Sequence, residues 1–324
     1  MLPNFSHTRP GSLREALDLL DRSDARIHGG GTDLLGCLRD RVFTTDAVVS
    51  LGAIAELRGI ARTADGGLRL GAMTTVAEIA DDGSIAERYT ALHDAAAAVA
   101  SPQLRNQGTI GGNLCQKPRC WYYRGDFRCL RKGGELCYAY EGENQQHCIF
   151  GGDLCFIVHP SDTAPALAAL GAVCRVAGPS ASRSVAVEAL HVPPSTDPRR
   201  ETVLEPDEII TEIVLPAPPA GLRSSYRKIR SRNAWDFALA GVALAVVLDG
   251  GVVRSARVFL SGAAPVPWRS TTVEAAITGR ALDAATIAAA GDAAVAGAEP
   301  LSGNGYKIAL FKGLVAEQLE AIRG

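Results

Sequence analysis

The sequence predicts an α+β protein. Helix and strand segments are mixed through residues 1–220, a cysteine-rich insertion interrupts them, and a C-terminal domain of three antiparallel strands followed by helices ends the chain. Three observations carry this expectation. Short apolar strand patterns alternate with 3.6-period segments as far as the proline-rich "PAPPAG"; the pattern then changes to a meander; and six of the eight cysteines fall between Cys115 and Cys155.

Leu13, Ala16, Leu17, Leu19 and Leu20 share one face of a helix over 12–22, with Ser12 as its N-cap. A strand over Ala25 to Ile27 runs into "HGGGTDLLG". "AVVSL" and "LRLGAMTTVAEI" read as strands, the second entered by a turn at Asp65, Gly66 and Gly67 and leading into a helix. An alanine-rich helix from Leu92 to Ala100 stops at Ser101-Pro102. "DTAPALAALGAVCRVAG" is a helix then a strand, and strand pieces continue through "ETVLEPDEIITEIVLP". "SSYRKIRS", "FALAGVALAVVLDGG" and "VVRSARVFLSG" form a three-stranded meander with an Asp-Gly-Gly turn, followed by helices near 271–278, 283–297 and 304–322.

At 324 residues the chain exceeds one ordinary core, and its net charge of −2 offers no field for a polyanion, so no nucleic-acid partner is expected. The basic run Arg223 to Arg232 reads as a solvated or interface strand. Polar residues stand where a signal peptide needs an apolar core, and no segment approaches membrane-spanning length. No membrane insertion is expected, and the cytoplasm is the expected compartment; a subunit exported to the periplasm on a partner's signal would read the same. In a reducing compartment, clustered thiols point to metal or redox chemistry rather than structural disulfides.

Gly29, Gly30 and Gly31 follow the strand, with Thr32 and Asp33 next. Bare backbone can turn its N–H groups inward around an anion such as a pyrophosphate, although any tight turn uses glycine too. The spacing matches neither the Walker nor the dinucleotide-fold motif. A second loop, "SPQLRNQGTIGGNLCQ", sets Gly108, Gly111 and Gly112 around Thr109 and leads to Asn113, which suggests a diphosphate gripped from two sides.

In the cysteine insertion no two thiols are separated by only two residues. That disfavours zinc, which usually takes a close pair, and leaves zinc, disulfides and an iron-sulfur cluster as alternatives. Glycines free this segment to wrap, its aromatics can shield a site, and its arginines can offset negative charge.

"GGGTDLL", "GAMTT", "RNQGTIGGNLCQ", "HPSDTAPALAALGA" and "YRKIRSR", in this order, resemble the FAD-binding subunit of the xanthine dehydrogenase (molybdenum hydroxylase) family. The resemblance implies a two-part FAD-binding domain of the vanillyl-alcohol-oxidase-like type. It divides the chain into an N-terminal subdomain over 1–57, a second subdomain over 58–220 with the insertion at 115–155, and a C-terminal flavoprotein domain over 221–324. It implies that Ile27, His28, Gly29, Gly30, Gly31, Thr32, Asp33 and Leu34, with Thr74, Thr109, Gly112 and Asn113, hold FAD. It further implies Asp162 near the adenosine ribose or phosphate side, Ile210 in the adenine pocket and Lys228 at the flavin side. Judged alone, Asp162 would be a helix N-cap and Lys228 a surface lysine. Val99 stands where the family often has a larger residue.

The insertion is similar to those of 4-hydroxybenzoyl-CoA reductase and bacterial aldehyde oxidoreductases, which carry a 4Fe-4S cluster. By that resemblance the ligands are Cys120, Cys129, Cys137 and Cys155, with Cys148 as rival for the fourth place and Cys115 a free thiol. Cys37 and Cys174 are expected as small buried hydrophobes, and His28, His147 and His159 as structural. The implied function is electron transfer beside a molybdopterin-binding large subunit and a small 2Fe-2S subunit, to or from an external acceptor or donor. The alternatives are a stand-alone flavin oxidoreductase with a zinc-stabilised loop, and a non-enzymatic assembly or scaffold protein.

Overall fold

The computed structural model describes residues 1–21 and 24–323. At the N-terminus β1 (Ser6–Thr8), α1 (Leu13–Asp21), β2 (Ala25–His28), α2 (Leu34–Arg39) and β3 (Ala47–Ser50) build a parallel sheet in the order β1-β3-β2. Helix α1 buries Ala16, Leu17 and Leu20 in a cluster with Val49, Leu51 and Ile54. The Ser12 hydroxyl accepts from the Glu15 N–H at 3.3 Å, so the expected cap forms. Residue 22, the last of the expected helix, lies outside the described residues.

The second unit begins with β4 (Ile60–Arg62) and β5 (Leu68–Gly71), followed by α3 (Val76–Asp81), α4 (Gly83–Arg88), α5 (Thr90–Ala98), α6 (Pro102–Gln107) and α7 (Ile110–Leu114). After the short α8 (Trp121–Arg124) in the insertion come α9 (Thr163–Ala169), β6 (Val173–Ala177), β7 (Ser182–Ala186) and β8 (Ile209–Leu215). The strands form an antiparallel sheet in the order β4-β5-β8-β6-β7.

Two expectations are corrected here. The helix break at Ser101-Pro102 is also a helix start, because the Ser101 hydroxyl accepts from the Leu104 N–H and Pro102 occupies the first turn of α6, where its missing N–H costs nothing. The second glycine stretch is helical rather than an open loop. The Thr109 hydroxyl accepts from the Gly112 N–H at 3.2 Å and caps α7. Gly111 sits inside that helix because a Cβ there would stand 3.0 Å from the Ala72 carbonyl.

In the C-terminal domain β9 (Leu222–Ile229), β10 (Ala240–Asp249), β11 (Val252–Ser261) and β12 (Trp268–Arg269) form an antiparallel sheet in the order β12-β11-β10-β9. It has a fourth strand beyond the meander expected, and β12 pairs through only two residues, too few to pattern the sequence. Gly250 and Gly251 adopt φ of 56° and 81° in the turn between β10 and β11, as Asp-Gly-Gly requires. Side chains alternate along β10: Val242, Leu244 and Val246 face the cluster with α10 (Thr271–Ile277), α11 (Ala284–Ala293) and α12 (Lys307–Arg323), while Ala243 and Ala245 face the second unit's core. The insertion joins the helical side through Ile149 and Phe150, whose ring stacks on Trp268 at 5.0 Å. Among the described residues no helix is long and apolar enough to cross a membrane.

Candidate functional site

The two glycine stretches meet. Gly29 to Gly31 connect β2 to α2, and at Gly30 a Cβ would fall 1.6 Å from the Gln107 carbonyl at the end of α6. A Cβ at Gly29 would lie 2.7 Å from the Thr109 hydroxyl, and Gly31 has φ of +73°. These glycines therefore let two backbones touch while Gly30 and Gly111 also line the groove beside the contact.

On either side of the contact runs a groove in two clefts that share Thr32, Asp33, Thr109, Gly112 and Gln116. The first, about 210 Å³, is mostly apolar and includes Ile27, Leu34, Met73, Leu204, Ile209 and Ile210. The second, about 140 Å³, adds charged and amide side chains to an apolar lining and includes Asn113, Arg119, Asp162, Lys228, Trp235 and Phe237. Ser161, not Asp162, caps α9 by accepting from the Ala164 N–H at 2.9 Å. The Asp162 carboxylate is thereby free to accept from Lys228 Nζ and the Tyr226 hydroxyl, each at 2.7 Å. Lys228 is buried, not a surface lysine, and Asp162 lies in the second cleft while Ile210 lies in the first. Burial first, then the Asp162 charge, pushes the Tyr226 phenol well above its ordinary pKa, so it stays a donor.

Cys120, Cys129, Cys137 and Cys155 line one small cavity, enclosed by Tyr122, Tyr123, Leu130, Arg131, Tyr138, His147 and Ile157. The loop bends to present them: Gly133 takes φ of 86°, and a Cβ at Gly134 would stand 1.7 Å from the Arg128 carbonyl. Backbone N–H groups of Tyr122 and Tyr123 donate to the Cys120 sulfur, those of Ala139 and Phe156 to Cys137, and that of Ile157 to Cys155. The hydrogen bond between the Cys155 and Cys137 thiols pulls Cys137 down and pushes Cys155 up, while burial raises Cys120 to about 11. Cys148 does not line the cavity, and its sulfur packs against Gly152. Among the described residues no three His, Cys, Asp or Glu side chains are drawn together as ligands of a single metal ion.

The insertion is fastened on three sides. Asp33 of the glycine loop accepts from Arg124 and from the Lys117 N–H, each at 2.7 Å, and forms an ion pair with Arg119 at 2.9 Å. Glu201 binds Arg131 at 2.7 Å and also pairs with Lys117. Asn304, just before α12, donates to the carbonyls of His147 and Cys148.

Residues 3–218 match the family described as the FAD binding domain in molybdopterin dehydrogenase, and residues 224–321 match the CO dehydrogenase flavoprotein C-terminal domain. This chain is a flavin subunit of the molybdenum hydroxylase family. It is 35% identical to the aldehyde oxidoreductase FAD-binding subunit PaoB of Escherichia coli K12, over 98% of each chain. It is 29% identical to the carbon monoxide dehydrogenase medium chain of Hydrogenophaga pseudoflava, over 98% of this chain and 97% of that one. A solved carbon monoxide dehydrogenase from that organism superposes with a TM-score of 0.79 at 28% identity, over 99% of this chain and 98% of that chain.

The flavin subunit binds FAD, and it is an oxidoreductase subunit. Of the residues expected at FAD, Ile27, Gly29, Gly30, Gly31, Thr32, Asp33, Leu34, Thr109, Gly112, Asn113, Asp162, Ile210 and Lys228 line the groove. Thr74 does not: it is fully buried and its hydroxyl donates to the Gly59 carbonyl at 3.1 Å. His28 lies behind the loop, where a Cβ on Gly31 would meet its Nε2 at 2.6 Å. Arg119, Gln116, Leu204, Trp235 and Phe237 line the groove without having been singled out as flavin contacts. Arg119 carried a partial signal, as one of the insertion's positive charges.

Proposed function

We propose that this subunit carries electrons between a 2Fe-2S cluster of a small partner subunit and an external acceptor or donor, and that it holds a 4Fe-4S cluster beside its FAD. A molybdopterin-binding large subunit would oxidise the substrate, and the complex would work in the cytoplasm, or in the periplasm if exported on a partner's signal. The family match speaks for FAD; the cluster reading rests on the cysteine cavity. Its carrying observation is that Cys120, Cys129, Cys137 and Cys155 face one another next to the groove. Arg119 lines the groove and Cys120 the cavity, and consecutive Cα atoms lie about 3.8 Å apart.

Bound FAD accepts and releases one or two electrons, and a cubane cluster exchanges one at a time. The chain's own part is positioning and electrostatics. Thr32, Thr109, Gly112 and the backbone of Gly29 to Gly31 would hold the diphosphate, with Ile210 on the adenine side. Arg119 and Lys228, each paired with a carboxylate of the same cleft, would line the flavin end. Around the cavity, backbone donors and Arg131 offset negative charge on sulfur, while Tyr122, Tyr123 and Tyr138 exclude water. A zinc ion would need its donors at about 2.3 Å from one point, and among the described residues no three His, Cys, Asp or Glu side chains are drawn together as ligands of a single metal ion.

Metal and flavin analysis of the anaerobically purified chain tests the reading. FAD with about four irons per chain is expected. Zinc in place of iron, together with turnover in the absence of partner chains, would point instead to a stand-alone flavin enzyme with a zinc-stabilised loop. Recovery of the chain without flavin would point to an assembly protein.

A further inference from the structure

His147 is buried, and its Nε2 stands 3.3 Å from the Cys120 sulfur. Its other ring nitrogen, Nδ1, has no partner. The backbone is pinned on both sides, because the His147 N–H donates to the Asn144 carbonyl at 3.0 Å and its own carbonyl accepts from Asn304 at 3.1 Å. Trp121 meets the ring edge at 6.0 Å between centroids, and Tyr122 stands at 6.3 Å. The imidazole is thus held against one cavity sulfur by elements from the insertion and from the start of α12.

A neutral imidazole carries one N–H, and the partner of each nitrogen decides where it sits. Here Nε2 alone has a partner, and a metal-bound thiolate is an acceptor. The N–H therefore belongs on Nε2, pointing at sulfur. Hydrogen bonds to cluster sulfurs offset the charge gained on reduction and raise the reduction potential. The Cys120 sulfur also receives backbone N–H groups from Tyr122 and Tyr123, which any residue would supply. His147 adds a donor that a side chain controls.

We propose that His147 is a positioning residue whose Nε2–H donates to the Cys120 sulfur and makes the bound cluster easier to reduce. The proposal rests on the cluster reading above. Its test uses the full chain with FAD and cluster, titrated electrochemically while EPR and absorbance follow the cluster and flavin separately, with iron measured in parallel. His147→Phe is expected to keep about four irons, to lower the cluster midpoint and to leave the flavin midpoint unchanged. His147→Gln, whose amide retains an N–H, is expected to recover part of the shift.

A wild-type cluster midpoint in iron-replete His147→Phe overturns the proposal. If that variant loses iron, wild-type protein labelled with 15N-histidine decides: pulsed EPR of the reduced cluster should detect one coupled imidazole nitrogen, and its absence overturns the proposal. A wild-type chain without iron overturns the cluster reading itself, and this inference with it. Iron without nitrogen coupling overturns this inference alone.

Discussion

The Asp33 carboxylate accepts a hydrogen bond from the Arg124 guanidinium at 2.7 Å, joining the glycine loop of the groove to the cysteine insertion 91 residues later. Arg119 and the Lys117 N–H converge on the same carboxylate, so one side chain sets the spacing between groove and cavity. Asp33→Asn keeps the shape and removes the charge from two largely buried guanidinium partners. It is expected to cost about 2 kcal/mol of stability and to weaken FAD retention. Urea unfolding and flavin occupancy after gel filtration measure both, and unchanged values would separate the loop from the insertion.

Lys228 and Asp162 form a pair with side chains only 2% and 5% exposed. Lys228→Met alone strands a carboxylate whose remaining side-chain partner is Tyr226, and is expected to cost about 3–5 kcal/mol. Adding Asp162→Leu should recover a large part of that loss. Unfolding of the flavin-free single and double variants supplies the cycle; additive losses would show that the two groups are not coupled.

Gly30→Ala is expected to abolish FAD binding, since its Cβ would collide with the Gln107 carbonyl and force the two loops apart. Gly83→Ala, at the start of α4 with nothing within 4 Å, is the control. It should leave FAD bound and change stability by less than about 1 kcal/mol. Flavin absorbance per chain reads both, and retention of FAD by Gly30→Ala would contradict the loop-on-loop contact.

His159 and His191 are buried with ring centroids 4.1 Å apart, and burial lowers both, His191 to about 4 and His159 well below its ordinary value. The unfolded chain binds protons at these positions near pH 6.5, whereas native His191 resists until about pH 4. Stability is therefore fully present above pH 6.5 and falls as pH drops toward 4. His191→Gln should flatten that decline in urea midpoints measured from pH 7.5 to 4.5. An equally steep decline would mean that the buried ring does not carry it.

Much of this architecture was legible because local pattern and tertiary role coincide. The apolar face of α1, the Asp-Gly-Gly turn and the alternation of β10 each announce themselves within a few residues. Where meaning depends on distant partners, the sequence is silent. Asp162 stands where an N-cap belongs, and only the approach of Lys228 and Tyr226 from β9 shows that Ser161 does the capping. In the stretch 102–114 the glycines suggest a loop and hide two short helices, whose signals are the caps Ser101 and Thr109. β1 and β12 are too short to show a period. Spacing alone does not choose among the cysteines; family resemblance favours Cys155 over Cys148, and Cys155 lines the cavity whereas Cys148 does not.

The central claim is that four sulfurs hold one cluster, and serine substitution at each of five cysteines tests it most directly. With iron and FAD measured per chain after anaerobic purification, the Cys120, Cys129, Cys137 and Cys155 variants should each lose the intact cluster while FAD stays bound, and Cys148→Ser should keep about four irons. Full iron in any of the first four, or its loss from Cys148→Ser alone, would contradict the account.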